Sequence, residues 1–133
     1  MSETKEKTLT GRVRLVPIYP VADDRGRLTP FDYRDLPFIP QRIFVIDNVP
    51  AGETRGGHGH KSCRQLLICL RGTIEVICEE GPEQKSFLLE PLSLGLLIEE
   101  GVISTQRYLT DDAVLLAFAS EPYDPGGYIT RNR

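Results

Sequence analysis

The stretch Arg55-Gly56-Gly57-His58-Gly59-His60-Lys61-Ser62-Cys63-Arg64-Gln65 contains both histidines of the 133-residue chain, two positions apart. On a β-strand alternate side chains share a face, so His58 and His60 are predicted to point the same way. Gly56, Gly57 and Gly59 carry no Cβ, which lets a ligand or a second backbone come close. Arg55 and Lys61 flank the pair with positive charge, and Gln65 closes the stretch with an amide. An imidazole with a pKa of about 6.5 takes up and returns protons at neutral pH, and paired titratable groups mark acid–base sites. A solvated surface hairpin without chemistry is the competing reading, and three glycines beside Arg55, Lys61 and Gln65 argue against it.

Outward from this stretch the chain breaks into short runs rich in Ile, Val, Leu and Phe. Strands are predicted over 11–16, 42–47, 54–60, 65–70, 73–78, 85–90, 94–98, 104–109 and 114–119, with a shorter candidate at 27–31. Turn residues separate them: Asp23-Asp24-Arg25-Gly26, Pro50-Ala51-Gly52, Arg71-Gly72, Glu80-Gly81-Pro82 and Asp111-Asp112. One helical turn fits within 31–36, before Pro37 and Pro40 break the chain. Many short strands at close spacing, with no long 3.6-residue period, predict an all-β sandwich or barrel. Residues 1–8 are polar and read as a frayed tail, leaving 9–133 as a single domain. The segment 121–133, with Pro122, Pro125, Gly126 and Gly127, is expected to run along the surface.

The runs Gln65-Leu66-Leu67-Ile68-Cys69-Leu70 and Ala113-Val114-Leu115-Leu116-Ala117-Phe118-Ala119 are apolar on both faces. Such strands need cover on both sides, from a second sheet or from a partner subunit. Two of them in so small a domain predict a homodimer.

Composition excludes several classes. Hydrophobic residues make up 40% and charged residues 26%, the balance of a soluble globular protein. The formal net charge is −3 and the pI about 5.4, so no nucleic-acid footprint is expected. No apolar run approaches the roughly 20 residues of a membrane span. Cys63, Cys69 and Cys78 form no CxxC, and an odd count with a polar N-terminus predicts reduced thiols in the cytoplasm.

Spacing sharpens the histidine stretch. Gly52 precedes His58 by six positions, His60 follows, Gln65 stands five further on and Gly72 seven beyond that. This resembles the first signature of the cupin superfamily, glycine–five–His–x–His–four–Glu–six–glycine, with Gln65 in the glutamate place. The resemblance implies a double-stranded β-helix, or jelly-roll barrel, with His58, His60 and Gln65 turned into it. Cupins usually bind a metal there with one further histidine. This chain has no third histidine, and a neutral amide is a weaker ligand than a carboxylate, so neither a metal nor another cofactor is expected.

A wider set of motifs occurs in order: Asp23-Asp24-Arg25-Gly26-x-Leu28, Leu36-Pro37-Phe38, Arg42-Ile43-Phe44, Arg55-Gly56-x-His58-x-His60-Lys61, Gln65, and Ala119-Ser120-Glu121-x-Tyr123-Asp124. Together they resemble the sugar-nucleotide 3,4-ketoisomerases, the WxcM-like cupins. That resemblance implies a metal-independent isomerase moving the ketone of a dTDP-4-keto-6-deoxyhexose from C4 to C3, in deoxyamino-sugar biosynthesis. It also implies a dimer with exchanged N-terminal strands. His58 would be the carbon base and His60 the oxygen shuttle. Arg55 and Lys61 would steady the enediolate, Gln65 would orient an imidazole or bind a hydroxyl, and Arg25 would contact sugar or diphosphate. The chain departs from the family pattern at Phe44, Gly59, Ile103-Ser104 and Thr130. A nucleotide-sugar 3,5-epimerase, a non-catalytic sugar-binding cupin and a metal-dependent dioxygenase are the rival readings.

Overall fold

Antiparallel pairing of short strands builds two five-stranded sheets in the computed structural model, which describes residues 11–130. Strands are numbered in chain order. One sheet runs β1 (Val13–Pro17), β9 (Leu94–Ile98), β6 (Gln65–Arg71), β11 (Val114–Ala119), β4 (Arg42–Ile46). The other runs β12 (Tyr128–Thr130), β5 (Thr54–His60), β10 (Ile103–Tyr108), β7 (Ile74–Glu80), β8 (Glu83–Leu89). Two short strands, β2 (Val21–Asp23) and β3 (Gly26–Leu28), form a separate hairpin. From β4 onward nearly every connection crosses from one sheet to the other, and only β7 and β8 are consecutive within one sheet. That alternation is the jelly-roll arrangement, and it sets the histidine strand β5 across from β6.

The core lies between the sheets. Alternation on β7 buries Ile74, Val76 and Cys78 completely, and Leu67, Cys69, Leu96, Ile98 and Leu115 meet them from the facing sheet. Each full burial of such a side chain contributes roughly 1.5–3 kcal/mol relative to exposure.

β6 is buried on both faces, as its composition predicts. Its outer face, with Leu97 and Phe118, forms a second cluster of Leu66 and Ile68. The cover is the chain's own connector: Ile18, Phe31, Leu36 and Phe38 pack there, with the Phe31 and Phe118 rings 5.5 Å apart. Double burial of these strands is therefore satisfied within one chain and does not by itself require a second copy. The connector holds the expected helical turn, a 3-10 turn at Tyr33–Asp35.

Strands β5, β9 and β11 match the predicted bounds. The Asp23–Gly26 turn joins β2 to β3, so the first N-terminal hairpin strand was hidden behind Pro17 and Pro20. The C-terminal segment does not simply cross the surface: β12 pairs with β5. The expected tail at 1–8 lies outside the described residues.

Gly72 fixes the β6–β7 turn. Its φ is +70°, and a Cβ there would fall on the Thr110 hydroxyl and 2.7 Å from the Ala113 Cα. The Thr110 oxygen already accepts the Thr73 N–H at 3.2 Å, so it cannot swing away freely. Gly72→Ala is expected to cost about 2 kcal/mol of unfolding free energy, read from urea denaturation midpoints at unchanged slope.

Candidate active site

β5 is irregular where it matters. Gly56 and Gly57 have φ of +94° and +83°, a region that side chains with a Cβ rarely enter. Ser104 on β10 pairs with His58 and Thr105 with Gly56, so Gly57 has no counterpart and forms a bulge. Beyond the bulge the alternation is regular, and His58 and His60 follow one another along the strand. On the other edge of β5, Thr130 pairs with His58 and Tyr128 with His60.

Tyr128 organises both imidazoles. Its ring stacks on His58 with centroids 4.3 Å apart and planes 16° from parallel. The same ring meets His60 edge-on at 4.9 Å, and the two imidazole centroids are 5.7 Å apart. His58 lines a cavity of about 320 Å³ between the sheets, with Arg42, Phe44, Arg55, Gln65 and Gln106. His60 lines a smaller adjoining cleft with Arg42, Gln65, Glu121 and Tyr123. Arg42, Gln65 and Tyr128 border both spaces, so they form the wall that joins them.

Burial sets the protonation of the pair. Desolvation holds the His58 pKa below its usual value. Burial does the same to His60, reinforced by the His58 and Arg42 charges and opposed by Glu121. Both imidazoles are therefore neutral at pH 7 and ready to accept a proton. The Nδ1 atom of His58 is enclosed and has no hydrogen-bond partner among the described residues, which leaves Nε2 as the nitrogen open to a ligand. A lowered folded-state pKa means the unfolded chain binds more protons just below pH 6.5. The histidines thus oppose folding as pH falls through their folded-state values, and the acid limb of any His-dependent kcat/KM profile is expected below pH 6.5. A midpoint above 6.5 in the pH–rate profile would contradict this environment.

Of the residues singled out from sequence, His58, Arg55 and Gln65 line the cavity, and His60 lines the cleft beside it. Lys61 is exposed and belongs to neither lining. Arg25 sits on the β2–β3 hairpin with its side chain 86% exposed, paired to Asp23 at 2.7 Å, away from the cavity of its own chain. The linings also hold Arg42, Tyr128 and Gln106, which were not among the sequence candidates. Arg42 is held over the Phe44 and Tyr123 rings at 4.7 and 5.0 Å, which points its guanidinium along the wall between the two spaces. Inward alternation on β10 could have revealed Gln106, whereas Tyr128 depended on a strand that sequence did not show. Among the described residues, no group of three or more His, Cys, Asp or Glu side chains is placed to hold a metal ion.

Comparisons with known proteins bear on the fold and the family. A TDP-4-oxo-6-deoxy-alpha-D-glucose-3,4-oxoisomerase from Aneurinibacillus thermoaerophilus is 31% identical over 110 residues, 82% of this chain and 79% of that one. The fold superimposes on a histidine-to-asparagine variant of the 3,4-ketoisomerase QdtA from Thermoanaerobacterium thermosaccharolyticum, solved with TDP-4-keto-6-deoxyglucose. There the TM-score is 0.86 at 36% identity, covering 90% of this chain and 88% of that one. The rmlC epimerase of Mycobacterium tuberculosis shares the fold alone, at 16% identity and a TM-score of 0.79 over 94% of this chain and 71% of that one. Residues 11–133 match the family described as "FdtA: WxcM-like, C-terminal", and the chain belongs to that family.

Proposed function

We propose that this protein is a metal-independent sugar-nucleotide 3,4-ketoisomerase acting on a TDP-4-keto-6-deoxyhexose. The observation that carries the reading is the pair of imidazoles, centroids 5.7 Å apart, with His58 at a cavity lined by Arg42 and Arg55 and His60 in the cleft beside it. A C3–H beside a C4 ketone is acidic because its carbanion delocalises onto O4. His58 Nε2 takes the C3 proton, and the electron pair moves through C3–C4 onto O4. His60 carries the O3 proton across to O4, which moves the anionic charge to O3. A lone pair on O3 then forms the C3=O bond, and the C3=C4 π pair takes the proton that His58 returns to C4. Atoms balance without an oxidant or reductant.

Arg42 and Arg55 supply fixed positive charge as the oxygens become anionic. Lys61, exposed outside the lining, has no part in this scheme. Gln65, on the wall between the two spaces, is suited to bind a hydroxyl or hold an imidazole.

A second copy of the chain completes the site in this reading. Val21 and Leu28 on the Arg25 hairpin are 62% and 67% exposed, and Ile43 and Val45 on the edge strand β4 are 52% and 53% exposed. Apolar side chains left bare on a two-stranded arm and on a free sheet edge suit exchange of that arm between two subunits, carrying Arg25 to the partner's substrate. A single species at monomer mass in micromolar sedimentation runs would remove Arg25 from the site. Three unpaired cysteines favour a reducing, cytoplasmic setting.

The direct test is TDP-4-keto-6-deoxyglucose in D2O, followed by NMR. The expected result is a 3-keto product carrying solvent deuterium, with turnover unaffected by EDTA. Neither product nor deuterium would sink the isomerase reading, and deuterium at C5 would make the protein an epimerase.

A further inference from the structure

We infer that Gln106 is a substrate-binding residue that reads the adjacent keto and hydroxyl oxygens of the sugar ring. This deepens the isomerase reading and rests on it. Alternation on β10 turns Ser104, Gln106 and Tyr108 inward, and Gln106 is only 7% exposed. It lines the same cavity as His58, Arg55 and Arg42. Among the described residues its carboxamide makes no hydrogen bond, yet its polar atoms are not sealed off, so what accessibility they keep is to the cavity.

A carboxamide turned inward with no protein partner and open only to a cavity is placed to bond whatever fills that cavity. The bulge in β5 shows that the position is built. A Cβ on Gly56 would lie 3.1 Å from the Gln106 amide nitrogen and 3.3 Å from its oxygen. The amide therefore rests directly against a glycine, and any larger residue at 56 would push it. Glycine at 56 leaves the room that this carboxamide occupies in the cavity that His58 lines.

The chemistry of the group matches one substrate feature. A carboxamide offers a donor and an acceptor side by side and does not titrate. The 4-keto sugar presents a carbonyl oxygen at C4, which needs a donor, next to a C3 hydroxyl, which needs an acceptor. The amide N–H then meets the oxygen that gains negative charge as the C3 proton leaves, so the contact strengthens in the transition state. A charged side chain at this depth would instead disturb the protonation of both imidazoles.

The test compares the native protein with Gln106→Met, which keeps the length and removes both hydrogen bonds. Expected is a loss of about 10- to 30-fold in kcat/KM for TDP-4-keto-6-deoxyglucose, most of it in kcat. The Kd for TDP alone stays within twofold, and the melting temperature does not fall. A kcat/KM within twofold of native overturns the inference. So does a parallel loss of TDP affinity, which would assign Gln106 to the nucleotide or to the fold. If the native protein itself does not isomerise, the reading of function fails first. Calorimetry then decides Gln106: the native chain must bind the sugar nucleotide more tightly than TDP, and the variant must lose that difference, or the inference falls as well.

Discussion

His58→Asn is expected to lower turnover of TDP-4-keto-6-deoxyglucose by about 10²- to 10⁴-fold, the range over which a positioned acid–base group contributes. Asparagine retains a polar atom near the place of the imidazole Nδ1 but cannot carry a proton from C3 to C4. His58 lines the larger cavity, and its Nδ1 is enclosed without a partner, so the lost function belongs to Nε2. The fold should tolerate the change. Among the described residues none hydrogen-bonds to the His58 side chain, and its ring contacts are with Tyr128 and His60. The Kd for TDP is therefore expected within twofold of native.

Solvent exchange separates the two histidines. His60→Asn leaves a carbon base in place, so it should still wash deuterium into C3 while product forms slowly. His58→Asn should do neither. Deuterium entering C3 in the His58 variant but not in the His60 variant would exchange the two roles.

Much of this was legible from local pattern. Strands β5, β9 and β11 were bounded correctly because period-two alternation, or a continuous apolar run, stops at Gly, Pro or Asp. The pairing of His58 with His60 followed from the same period. What the sequence hid was set by long-range pairing. Arg42 reads as an ordinary strand-start arginine, and only cation–π contact with Phe44 and Tyr123 shows where its charge is held. β2 and β12 are three residues each, too short to carry a period, and both follow prolines. The dimer was inferred from double burial of β6 and β11, yet residues 18–38 of the same chain cover that face, which no periodicity could reveal. Arg25 and Lys61 illustrate a different limit. Charge near a motif in sequence says nothing of direction: within one chain Arg25 lies on the β2–β3 hairpin and Lys61 faces solvent.

β12 has the largest consequence of these hidden elements, because it brings Tyr128 against both imidazoles. Tyr128→Ala is expected to lower kcat/KM by about 100-fold. It should also move the acid limb of the profile upward, toward the ordinary histidine value of about 6.5. The ring covers one face of His58 at 4.3 Å and the edge of His60 at 4.9 Å. Desolvation is the leading cause of the lowered pKa at both histidines, and the tyrosine supplies part of that cover. Without it, water reaches both rings, the charged forms become easier, and each imidazole can turn about its side-chain bonds. A wandering base loses most of the benefit of being held in reach of C3. Tyr128 is thus a positioning residue, and the two readouts together separate that role from a structural one. A variant that is only less stable would show less active enzyme with the acid limb unmoved. Tyr128→Phe keeps the ring and removes the hydroxyl, so it should restore both the rate and the native limb. If the phenylalanine variant is as slow as the alanine one, the hydroxyl itself takes part in the chemistry and the stacking argument fails.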